Sequence, residues 1–187
     1  MLDDVVSFTA MADGTREEYE MLAAHSRANS VPVADNVLAL LKSLEGHNDG
    51  YQVDRLGHSL QTATRAFRDG ADEEMVCVAL LHDIGGLHAP DNHSTFAAAV
   101  LRPYVSEENH WLVLHHGVFQ GYYYFHHHDM DRNARDRFRA HPAFQKTVDF
   151  CENWDQRSFD GSYDTMPLDA FEPMVHRLFE RVTNMAY

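Results

Sequence analysis

Two cysteines in 187 residues, Cys77 and Cys151, are too few for a disulfide framework. Both lie in apolar stretches, so they read as reduced, buried thiols of a reducing compartment. Positive charge is scarce as well: 15 Lys and Arg stand against 29 Asp and Glu, a formal charge of -14. A chain that neutralises the phosphates of a nucleic acid carries a basic face, so this balance argues against nucleic acid and for a small-molecule partner. No apolar run approaches the roughly 18 residues that cross a bilayer. The opening MLDDVVSFTAMADG lacks the basic n-region of a signal peptide. The expectation is a cytoplasmic chain that engages no membrane. Alternating strand patterns, internal repeats and low-complexity linkers are missing too, which leaves one domain over 1–187 built on a single core.

What is present is helical periodicity, and the expected class is all-α. Residues 1–50 carry two helices, over 16–29 and 35–45, separated by Ser30, Val31 and Pro32, with Asp35 as N-cap of the second. EGHNDGY is a loop by its Gly, Asn and Asp content. A helix over 52–69 follows, with Val53, Leu56, Leu60, Ala63 and Phe67 on one stripe and His58, Gln61 and Arg65 on the other side. Asp72 caps the next, with Glu73 and Glu74 in its first turn. Asn92 and Ser106 cap two more, the second ending at His115 and His116, and residues 117–141 read as an irregular lid. Pro142 opens a helix to about Gln156, and a C-terminal helix within 158–187 carries Leu168, Phe171, Val175, Leu178, Phe179 and Val182.

The segment VCVALLHDIGG raises a physical problem. Met75 to Leu81 are all apolar, so their helix is buried on every side, yet it runs straight into His82 and Asp83. An unpaired charge in an apolar interior is costly, so something must compensate both groups. Other inward-facing ionisable residues join them. His58 lies on the second face of its helix, His116 on a stripe with Leu112 and Val113, and Asp155 on a stripe with Phe144, Val148 and Cys151. His93 begins the helix after Pro90. His115 beside His116 makes that ligand ambiguous, and His116 is preferred. The triple His126, His127 and His128 reads as a solvated loop, and Tyr122 to Tyr124 as lid packing. Imidazole and carboxylate together suit iron, manganese or zinc, and an aspartate can bridge two ions.

The His-Asp pair of HDIGG, preceded by another inward histidine 24 residues earlier, resembles the HD-domain superfamily. Within it, GHSLQTATRA around His58 and the Trp154-Asp155 ending are similar to the mixed-valent diiron oxygenase branch, over roughly residues 51–157. The resemblance implies a helical bundle around a buried dinuclear site, with His58, His82, Asp83 and Asp155 on one iron. Asp83 bridges to a second iron held by His93 and His116. Asp83 and Gln61 are the catalytic candidates, Gln61 orienting a ligand or a bound water. The cofactors would be two iron ions, Fe2+ and Fe3+, and the partners dioxygen and a small hydroxylated substrate whose C–P or C–C bond is cleaved. The alternative is a phosphohydrolase using Mn2+ or another divalent metal. Phosphonate-cleaving relatives carry a lysine and an arginine where this chain has Gln120 and Glu152. Either Arg102, Lys146 or Arg157 replaces those cations or the substrate is less anionic. Glu152, three residues before Asp155, either faces the pocket or sits at its rim paired with a lysine or arginine. The tyrosine that those relatives place before the first histidine has a weak counterpart in Tyr51.

Overall fold

Seven consecutive apolar residues, Met75 to Leu81, become the most enclosed helix of the chain: all seven are buried. Asp72 starts that helix by accepting a hydrogen bond from the Met75 N–H at 2.8 Å. The computed structural model describes residues 5–28 and 32–181. Among the described residues there are eight α-helices and no strand: α1 Arg16–Ala28, α2 Val33–Lys42, α3 Arg55–Arg68, α4 Glu73–Leu81, α5 His93–Leu101, α6 Glu107–Tyr124, α7 Phe144–Asn153 and α8 Glu172–Phe179. Short 3-10 turns join several of them, including Pro90–Asn92, Asp155–Arg157 and Leu168–Ala170. The chain is therefore all-α, as its periodicity predicts.

The chain divides into two compact units, Met1–Val33 and Ala34–Tyr187. In the first, α1 opens on a reciprocal cap. Glu18 Oε2 accepts from the Thr15 N–H at 2.9 Å, and Thr15 Oγ1 accepts from the Glu18 N–H at 3.2 Å. In the second, α3 packs along α4, α5 along α6, α6 along α7, and α8 against α4. Leu80, Leu81, Ile84, Leu101, Leu112 and Phe150 are almost fully enclosed in the shared core. Each such side chain contributes roughly 1.5–3 kcal/mol of burial, which is what holds the ionisable end of α4 inside.

Several boundaries differ from the sequence expectation. Asp35 lies in the first turn of α2 rather than capping it, and Ser30, Val31 and Val182 fall outside the described residues. Asp54 starts α3 by accepting from the Gly57 N–H at 2.7 Å, which leaves Val53 in the loop. Phe67 is 43% exposed, and the enclosed face of α3 is mostly small or polar: Ser59, Thr62, Ala63, Thr64 and Ala66. Asn92 precedes α5 without a side-chain cap. The expected lid is helical at its start, because α6 runs on through Gly117 and Gly121 to Tyr124. A glycine inside a helix costs only about 1 kcal/mol, less than the burial of Phe119 between the two returns. The expected C-terminal helix is broken, with Leu168 in a 3-10 turn and Pro173 in the first turn of α8. No described helix is long and apolar enough to cross a membrane.

Candidate metal centre

His58, His82, Asp83, His93, His116 and Asp155 come from five different places in the chain and converge on one end of the core. His58 sits one turn into α3, His82 and Asp83 follow the last turn of α4, His93 is the first residue of α5, and His116 lies within α6. Asp155 is not on α7 as its spacing suggests: the helix stops at Asn153, and Asp155 opens the 3-10 turn beyond it, 2% exposed. The same ending turns Glu152 outward, so it is exposed rather than lining the pocket. HDIGG has a packing reason as well. A Cβ on Gly85 would lie 2.8 Å from the His93 carbonyl oxygen, and one on Gly86 would lie 2.5 Å from Arg55 Nη1. At Gly85 only glycine lets the backbone at the start of α5 close on the His-Asp turn, whereas at Gly86 a Cβ would displace the tip of the Arg55 side chain.

All four imidazoles are oriented in the same way. Nδ1 of His58 lies 3.0 Å from the Ser158 carbonyl oxygen, His82 Nδ1 2.9 Å from Ala79, His93 Nδ1 3.0 Å from Pro90, and His116 Nδ1 2.7 Å from Val113. A carbonyl oxygen can only accept, so each Nδ1 carries the hydrogen and each neutral ring turns its Nε2 lone pair into the cluster. His58 Nε2 and His82 Nε2 face each other at 3.3 Å. Two lone pairs at that distance repel unless a proton or a metal cation lies between them. Nδ1–H held by a carbonyl and Nε2 free is the usual disposition of metal-ligating histidine. The donor set therefore fits a metal ion on its own chemistry.

The carboxylates sit between the rings. Asp155 Oδ1 is 3.3 Å from His58 Nε2 and 3.7 Å from His82 Nε2. Asp83 divides its two oxygens: Oδ2 lies 3.6 Å from His58 Nε2 and 3.7 Å from His82 Nε2, whereas Oδ1 lies 3.2 Å from His116 Nε2 and 3.5 Å from His93 Nε2. Two sets of ligand atoms lie within 4.8 Å of one another, His58 with His82 and Asp155, and His82 with Asp83 and His116. These buried groups could hold a metal ion. Their electrostatics agree. Burial pulls the His58 pKa down, but the hydrogen bond and charge of Asp155 and the charge of Asp83 outweigh it and raise it. For His82 burial likewise opposes, and Asp83 and Asp155 win. Burial pushes both carboxylates up, yet His82 and His116 hold Asp83 well below its ordinary value, and hydrogen bonds from His58 and His82 do the same for Asp155. The two acids thus favour positive charge at the Nε2 edges, which ring protons supply or a bound cation supplies in their place.

The Nε2 edges of the cluster open into a cavity of about 480 Å³, within the range of small-molecule sites. Asp83 and His93 are the more open members of the cluster, with side chains 21% and 32% exposed. His115 is turned away: its Nδ1 bonds the Trp111 carbonyl and its ring stacks on Trp111 at 4.2 Å. His126, His127 and His128 are exposed. Tyr123 and Tyr124 line the cavity, and so does Tyr51, 60% exposed and set against Phe159 at 4.8 Å. Gln61 does not turn its amide to the ligands. Its Nε2 donates to the Asp160 carbonyl at 2.7 Å, and its Oε1 accepts from the Asp160 N–H at 3.3 Å. It grips the chain two residues beyond Ser158, the carbonyl that orients His58.

Sequence reasoning missed Phe159 and Arg55, and it placed Gln120 at the pocket without its bond to Asp155. Gln120 donates to Asp155 Oδ1 at 3.0 Å. Phe159 stacks on the His58 ring at 4.5 Å, beyond the end of the expected 51–157 core. Arg55 lines the cavity, whereas Arg102 and Lys146, expected as replacement cations, pair with Glu107 and Glu108, and Arg157 donates to the Glu152 carbonyl. Periodicity carries no signal for Phe159, whereas Arg55 and Gln120 each lie one helical turn from His58 and His116. The buried thiols do follow expectation: Cys77 and Cys151 are free, and burial pushes Cys77 up to about 12. No family model matches the chain, and no curated protein matches it.

Proposed function

We propose that this chain is an HD-domain oxygenase that holds two irons and uses dioxygen to cleave a C–P or C–C bond in a small hydroxylated molecule. The observation that carries the reading is the division of Asp83, with one oxygen turned to His58 and His82 and the other to His93 and His116. One carboxylate between two pairs of neutral imidazoles is the arrangement a bridging ligand needs. His58, His82, Asp83 and Asp155 would hold one iron, and Asp83, His93 and His116 the other. Bound there, the metals would supply dioxygen activation and removal of hydrogen from the carbon that carries the substrate hydroxyl. The protein supplies everything around that chemistry. The four carbonyl-anchored rings fix the ligand directions, Gln120 steadies Asp155, and the open side at His93 and Asp83 admits the substrate.

The cavity wall favours a small substrate over a nucleotide. Among the described residues Arg55 is the one Lys or Arg in that wall, and it already faces Asp49. A di- or triphosphate normally needs several cations or backbone amides to grip it. The phosphohydrolase reading rests on the same donor set, which would equally hold manganese or another divalent ion. Metal analysis of protein expressed without added metal, followed by two assays, separates them. The oxygenase retains about two irons, as its bridged donor set requires, gives an electron paramagnetic resonance signal and consumes dioxygen with a hydroxylated substrate. Release of phosphate from a nucleotide or phosphoester with manganese, in the absence of dioxygen, would overturn it.

A further inference from the structure

Arg55 is the first residue of α3, where a cation opposes the helix dipole, and the metal-centre reading gives it no task. It stands three residues before His58, so the two side chains leave the same face of the helix and both line the cavity. Its guanidinium crosses the HDIGG turn at Gly86, where a Cβ would lie 2.5 Å from Nη1. There it meets one carboxylate. Nη2 lies 2.6 Å and Nε 2.9 Å from the same oxygen, Asp49 Oδ2, so the second carboxylate oxygen stays outside the pairing. Asp49 has φ of 49°, left-handed backbone for a non-glycine residue, and its side chain is 56% exposed. The loop around it is tied down independently: Gly46 N–H donates to Asp54 Oδ2 at 2.7 Å and Arg55 N–H to the His47 carbonyl at 2.9 Å. Asp49 can therefore leave the guanidinium without the loop losing its anchors.

We propose that Arg55 is the specificity-determining residue of the cavity. It binds the carboxylate of a small hydroxy acid whose hydroxyl faces the His/Asp cluster, and Asp49 is the internal acid that this carboxylate replaces. The proposal rests on the cavity being the substrate site. A single guanidinium, offering two parallel N–H groups, matches one planar carboxylate. The acids around it, Asp49, Asp54, Asp83 and Asp155, disfavour a ligand with several negative charges.

The test uses glycolate, with ethylene glycol as its neutral counterpart, titrated by nuclear magnetic resonance into the full chain, metal-free and zinc-loaded. The parent binds glycolate about tenfold tighter than ethylene glycol, the size of one charge-assisted pair. Arg55→Gln abolishes that preference and leaves ethylene glycol unchanged. Asp49→Asn strengthens glycolate binding severalfold in the parent and has no effect in the Arg55→Gln background, because Asp49 acts only through Arg55. Should Arg55→Gln not fold, Arg55→Lys, which keeps the charge and loses the fork, lowers the preference severalfold. A preference that survives Arg55→Gln, or an Asp49→Asn effect that persists without Arg55, would overturn the proposal. The metal-free arm makes the outcome independent of the metal reading. An Arg55-dependent preference in protein that retains no metal would leave this inference standing and remove the other.

Discussion

At the scale of single residues, the neighbours of Asp83 and Asp155 assign them different tasks. Asp83 turns one oxygen to each pair of imidazoles, whereas Asp155 Oδ1 faces just one pair, His58 and His82. On the two-metal proposal, Asp83→Ala is expected to empty both positions, and Asp155→Ala to weaken one. Metal content by mass spectrometry checks this, and a full metal pair retained in Asp83→Ala would rule out the bridge. Gln61 acts at one remove, through the backbone of Asp160 and so through the Ser158 carbonyl that orients His58. Gln61→Leu strips Asp160 of two hydrogen bonds and is expected to cost about 1–3 kcal/mol of stability. It should also lower metal affinity by roughly 10–100-fold, as loss of a group that orients a ligand does. A variant that loses stability but holds metal as tightly as the parent would reduce Gln61 to a staple of the loop. The His-Asp pair was legible in the sequence because seven apolar residues ran into two ionisable ones. Phe159 was not, because nothing local marks an aromatic ring as stacking on an imidazole 101 residues earlier.

Among the elements, the joint between α4 and α6 is held by one half-buried acid. Glu74 Oε1, in the first turn of α4, accepts from the Ser106 N–H and from Asn109 Nδ2, each at 2.7 Å. Burial pushes its pKa up, but those bonds and the charge of Lys146 prevail and hold it below its ordinary 4.5. A lowered carboxylate pKa gives stability that is complete above the unfolded value and lost as pH falls through the folded one. Glu74→Gln is therefore expected to cost about 1 kcal/mol at neutral pH, and the difference should shrink as pH drops below 4.5. Urea denaturation of parent and variant at both pH values measures it. A gap that stays constant would mean that the charge of Glu74 adds nothing to its shape. The capping residues Asp72 and Ser106 were readable from sequence, since a cap needs only its own next turn. The length of α6 was not, because two glycines carry the local signal of a break while the burial of Phe119 between them is decided by distant partners.

For the whole molecule, a metal held by the cluster would couple pH to stability. In metal-free protein the raised pKa values of His58 and His82 give stability that is full below their ordinary 6.5 and is lost as pH rises through the folded values. The lowered values of Asp83 and Asp155 give stability present above their ordinary 3.8 and lost as pH falls through the folded values. Metal-free protein is thus steadiest between those limits and weakens toward pH 8. Metal binds the neutral rings instead, so its benefit grows over the same range. At a thousandfold excess over Kd a bound ion adds about 4 kcal/mol. Chelation should therefore lower Tm by roughly 8–16 °C near pH 8 and by clearly less near pH 5.5. Scanning calorimetry with and without chelator tests this, and equal shifts at both pH values would contradict it.

Helical periodicity and capping, which are local properties of the chain, settled the all-α class, the burial of α4, the caps of α4 and α6, and the inward direction of His58, His82 and Asp83. Tertiary structure alone decided three things. It turned His116 rather than His115 into the cluster, since the Trp111 ring and carbonyl claim His115. It ended α7 two residues before Asp155, which brings that carboxylate in and leaves Glu152 out. It laid Arg55 across Gly86 at the cavity wall and Phe159 against His58. Each of these depends on groups that are remote in sequence meeting at one end of the bundle, where packing and the pairing of buried charge set the positions that spacing leaves open.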